Sequence, residues 1–134
     1  MKLKELVKQA EGVGIAIIVE KEDTPEENWS VHLLNFNDFK LESILVNSQG
    51  SGLQNGEEVK TSQLRHFIGS VEANKTAQVE LITPDVFVLN NQFWVSYYVD
   101  GKIYDKKFIF EADTIKLDKL VCIDDLNAKG IIKL

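Results

Sequence analysis

The chain has 134 residues with 15 Lys and Arg against 21 Asp and Glu, a formal net charge of −6. A nucleic-acid surface needs clustered cations to displace counterions from phosphate, and here the bases are scattered among acids, so nucleic acid and anionic membrane are excluded as expected partners. Hydrophobic residues make up 44%, enough for one core in a chain of this length, and a single domain over 1–134 is expected.

The start of the chain carries Leu3, Leu6, Val7 and Ala10 at helical spacing, with Gly12 as a stop, which predicts a first short helix. Residues 13–20 alternate as a strand, with Val13, Ile15, Ile17 and Val19 on one face and Gly14, Ala16 and Ile18 on the other. An acidic loop follows. Residues 29–36 and 39–46 are predicted to pair as a hairpin around Asn37 and Asp38, which would set His32 opposite Ser43. Residues 47–58 are rich in glycine and amides and are expected to form a hairpin loop. Leu64, Phe67, Ile68 and Val71 fit the i, i+3, i+4, i+7 stripe of a second short helix capped by Ser62. Four strands are then predicted over 76–83, 86–89, 92–99 and 102–111, with turns at Pro84-Asp85, Asn90-Asn91 and Asp100-Gly101. Short strands over 119–123 and 130–134 close the chain. The expected fold class is α+β: a mainly antiparallel β-sheet with one or two short helices packed against it.

Cys122 is the only cysteine. No internal disulfide can form, and its apolar neighbours Leu120, Val121 and Ile123 predict a small buried hydrophobe. The N-terminal stretch lacks the apolar run of a signal peptide, so a cytoplasmic location is expected.

No catalytic signature survives inspection. Gly50, Gly52 and Gly56 lack the spacing of a dinucleotide fingerprint, and no Gly-Lys-Ser/Thr follows them. Glycines are also missing at 49 and 53, as a hydrolase elbow at Ser51 would require. The two histidines, His32 and His66, are too few for a zinc site without further ligands, and neither metal nor cofactor is expected. The acidic doublets Glu26-Glu27, Glu57-Glu58 and Asp124-Asp125 point apart along the chain and read as solvated charge.

The hairpin around Asp100-Gly101 is more informative. A two-residue turn pairs Tyr97 with Tyr104, Val95 with Lys106 and Phe93 with Phe108 on an apolar, core-facing side. The other side sets Trp94 opposite Lys107, Ser96 opposite Asp105 and Tyr98 opposite Ile103, with Ile109 beyond. Aromatic residues mixed with charge are characteristic of a binding surface, and Trp94 could hold Lys107 by a cation–π contact.

The strings at 60–67 (KTSQLRHF) and 93–108 (FWVSYYVDGKIYDKKF) resemble a family of small uncharacterised bacterial proteins whose members are often labelled the α subunit of phenylalanyl-tRNA synthetase. Such a synthetase requires a much larger catalytic core with several arginines for ATP, whereas Arg65 is the only arginine here. The resemblance therefore implies a compact domain with no activity to carry over. The expected function is a non-catalytic interaction or accessory domain, meeting a protein partner or forming a homodimer through Trp94, Tyr98 and Lys107. The alternative is a small-molecule-binding protein or small enzyme with a pocket near Arg65 and His66.

Overall fold

Alternating apolar residues dominate this chain, and nearly all of them are paired in strands. The computed structural model describes residues 7–9 and 11–134. In chain order its strands are β1 (Val7–Gln9), β2 (Val13–Glu20), β3 (Asn28–Asn35), β4 (Leu41–Gln54), β5 (Glu57–Lys60) and β6 (Leu64–Val71). There follow β7 (Thr76–Ile82), β8 (Asn90–Val99), β9 (Lys102–Phe110), β10 (Val121–Ile123) and β11 (Ala128–Lys133). Sheet I runs β1-β9-β8-β4, with β5 and β6 sharing the far edge of the long β4. Sheet II runs β10-β11-β2-β3-β7. All pairings are antiparallel except β1 with β9.

The two sheets stack over one core. Val13, Ile15, Ile17, Val31 and Leu33 of sheet II meet Leu41, Ile44, Val46, Phe93, Val95, Tyr97 and Phe110 of sheet I, an arrangement in which each inner face removes the other from water. Edge-on aromatic contacts reinforce it, with Phe93 and Phe110 centroids 5.8 Å apart and Trp29 and Phe87 5.0 Å apart. Burial raises the Tyr97 phenol to about 12.

This architecture corrects the expected α+β class. The helical segments among the described residues are 3-10 turns of three to five residues, and none is long and apolar enough to cross a membrane. Of the expected first helix, Leu3, Leu6 and Ala10 lie outside the described residues, while Val7–Gln9 is the strand beside β9.

The expected second helix is strand β6, and a bulge explains the misleading pattern. Leu64, His66 and Ile68 alternate toward the sheet-II side. The register then slips near Gly69, whose φ is +86°, and Val71 becomes the next buried residue. A slip of one residue converts period two into a spacing of three, which imitates a helical stripe.

Residues 29–46 do not form a hairpin. β3 lies in sheet II and β4 in sheet I, so the chain changes sheets between them. The buried Asn35 fixes this corner: its side-chain amide donates to the carbonyls of Phe39, Val71 and Glu72, and its side-chain oxygen accepts from the Asn37 amide. One buried amide thereby satisfies backbone groups of this link and of the β6–β7 link, where the chain returns to sheet II. His32 consequently stands between Ala16 and Gln78, not opposite Ser43.

Other boundaries also move. The expected loop over 47–58 is the second half of β4, a turn at Asn55 and Gly56, and the start of β5. Those two residues have φ of 54° and 79°, the left-handed pair that a two-residue hairpin turn demands. The expected strand over 86–89 belongs to the 3-10 turn Pro84–Val88, and Asn90-Asn91 opens β8. Cys122 is exposed, because β10 is a three-residue edge strand that turns only Ile123 inward.

Candidate functional site

The β8–β9 hairpin has the register expected from its Asp100-Gly101 turn. Trp94 pairs with Lys107, Ser96 with Asp105 and Tyr98 with Ile103 on the outer side of sheet I. Phe93, Val95 and Tyr97 are buried on the inner side. Trp94 and Tyr98 are 47% and 41% exposed, so among the described residues nothing covers them. The Lys107 ammonium lies 5.1 Å from the centre of the Trp94 ring, and the Trp94 indole N–H donates to the Asp105 carboxylate at 3.2 Å. These contacts hold the indole edge-fixed and face-accessible.

Because β6 is a strand, Arg65 joins the same surface. Arg65 pairs with Asn47, Asn47 with Trp94, and Trp94 with Lys107, giving one row across four strands. Phe67 flanks the row at 72% exposure and Ile109 at 45%. Among the described residues neither Arg65 nor Lys107 has a carboxylate within salt-bridge range. The structure therefore brings together four of the five residues singled out from sequence. Phe67 was missed, and period-two alternation over 64–68 is the signal that would have found it.

His66 points the other way, toward sheet II. Its Nε2 stands 3.4 Å from Oε2 of Glu80 on β7, is buried, and lacks hydrogen-bond geometry to any partner. Glu80 in turn lines a cleft of about 280 Å³ between the sheets, bounded by Ser48, Leu64, Ile82, Val86 and Phe93. Arg65 does not line it. No sequence signal marked Glu80, since its neighbours place it with Gln78 on a polar side.

The Ser30 hydroxyl and His32 Nε2 share a 2.9 Å hydrogen bond, but Ser30 is 2% exposed and out of reach of a substrate. Burial lowers the affinity of His32 for a proton, against a smaller opposing pull from Glu20. Among the described residues no group of three or more His, Cys, Asp or Glu side chains could hold a metal ion. No protein-family model matches the chain, and no curated protein is detectably similar to it.

Proposed function

We propose that this protein is a non-catalytic interaction domain that docks an apolar, acidic segment of a protein partner on the outer face of sheet I. The observation that carries the reading is the row Arg65–Asn47–Trp94–Lys107, flanked by Phe67, Tyr98 and Ile109. Three exposed aromatic rings on one sheet face offer large, stiff contact area at low entropic cost. In a chain of net charge −6, Arg65 and Lys107, which have no carboxylate within salt-bridge range among the described residues, select carboxylates. The Trp94 ring, fixed by Asp105 and Lys107, is the anchor between them.

Panning of a displayed random-peptide library tests this reading. The intact chain should enrich peptides that combine Asp or Glu with Leu or Phe, and a variant carrying Trp94→Ala, Tyr98→Ala and Arg65→Glu should not. Enrichment that survives in the folded triple variant, or no enrichment at all, would remove the proposal.

A further inference from the structure

We infer that the cleft between β6 and β7 is a second site, independent of the outer face, that takes a small molecule with an apolar body and one ammonium group. The site originates in β7. Ala77 pairs with Leu33 and Ile82 with Trp29, both directed at the core, yet the register slips beside Val31 and His32. As a result the consecutive residues Val79 and Glu80 both turn inward. Without that bulge, strict alternation would aim Glu80 at solvent with Gln78. Bulges that re-aim a single side chain recur beside binding sites.

The consequence is a carboxylate whose side chain is only 11% exposed, set in the wall of an apolar cleft. Leu64, Ile82, Val86 and Phe93 provide the apolar walls, and Glu80 is the one charged side chain among the lining residues. Among the described residues the group set beside this carboxylate is His66, whose Nε2 stands 3.4 Å away, at ion-pair distance when protonated, yet makes no hydrogen bond to it, which leaves a buried carboxylate short of donors. An ammonium would supply both countercharge and donors, and the apolar walls would take the rest of the molecule.

The walls are also fixed in advance. The Thr61 hydroxyl accepts from the Gly50 amide at 2.8 Å, and the Thr61 amide donates to the Gly50 carbonyl at 2.9 Å. Asn91 donates to the carbonyls of Val86 and Leu89, holding the 3-10 turn that closes one end. Little ordering is left for a ligand to impose.

Amide-resolved NMR titration with phenethylamine, 2-phenylethanol and 3-phenylpropionate separates the outcomes. Phenethylamine should perturb amides of β6, β7 and the 3-10 turn, and bind about tenfold more tightly than the alcohol, as expected for a charge-assisted hydrogen bond. The carboxylate should bind weakest. Glu80→Gln should bring amine and alcohol to equal affinity. Ser48→Leu, which fills the cleft, and Leu64→Trp, which blocks its mouth without touching the core, should abolish binding of both. Absence of cleft-specific shifts, no preference for the amine, or a preference that persists in Glu80→Gln would each overturn the inference. Peptide capture by the Trp94 face should be unchanged in Glu80→Gln, so failure of one site does not imply failure of the other.

Discussion

The outer faces of the two sheets are treated differently by the same chain. On sheet II, Ala16, Ile18 and Leu34 are sealed by Ile123, with Leu126, Ala128 and Ile132 packed around them. Gly14 belongs to this covered side, where an added Cβ would come within 2.9 Å of the Leu134 side chain. On sheet I the corresponding face carries Phe67, Trp94, Tyr98 and Ile109, and all four are exposed. The C-terminal 3-10 turn and strands thus complete a second small core on one side, while among the described residues nothing does the same on the other. A sheet face built from aromatic rings but left uncovered is where an external partner has most to gain.

That contrast can be broken most severely at Leu34. Leu34→Ala on the sealed face should cost about 2–5 kcal/mol, the range for a fully buried leucine, read by urea unfolding monitored by circular dichroism. A loss below about 1 kcal/mol would show that this face is not closed.

A smaller effect is expected from His32, which sits on the same face. Folding lowers its proton affinity below the ordinary value of 6.5, so the unfolded chain binds more protons just below that pH. The stabilisation is therefore complete above pH 6.5 and declines as the pH falls toward the lowered value. Denaturant midpoints between pH 7.5 and 5 should fall in the natural chain and fall less in His32→Gln. Identical slopes would place His32 in water.

The smallest stability effect belongs to the open face. Trp94→Ala should shift unfolding by about 1 kcal/mol or less, since the indole contributes one exposed hydrogen bond and one exposed cation–π contact. Its consequence should appear in peptide capture instead.

Legibility in the sequence tracked the bulges. Where alternation is unbroken, as in β2, β8 and β9, the strands and their faces follow directly from residue pattern, and in the β8–β9 hairpin turn chemistry adds the cross-strand partners, the Trp94–Lys107 pair among them. Where a bulge shifts the parity, local pattern misleads. Gly69 made β6 resemble a helix, and the slip in β7 concealed the inward turn of Glu80. The sheet-to-sheet crossing after Asn35 was equally hidden, because a short polar link looks the same whether it closes a hairpin or changes sheets. The centre of the candidate surface lies on the regular hairpin, whose register these errors leave unchanged. Arg65 reached it only once its segment was seen to be a strand.

Acrylamide quenching of a Trp29→Phe variant, with the mass in solution recorded on the same sample, tests the open face most directly. Trp29 is 5% exposed and Trp94 47%, so the remaining fluorescence reports the outer face of sheet I alone. Ready quenching in a monomer, relieved by a captured acidic peptide, is the expected result. A Trp94 signal shielded in a monomer would contradict it, because the face would then be covered by the chain itself and closed to any partner.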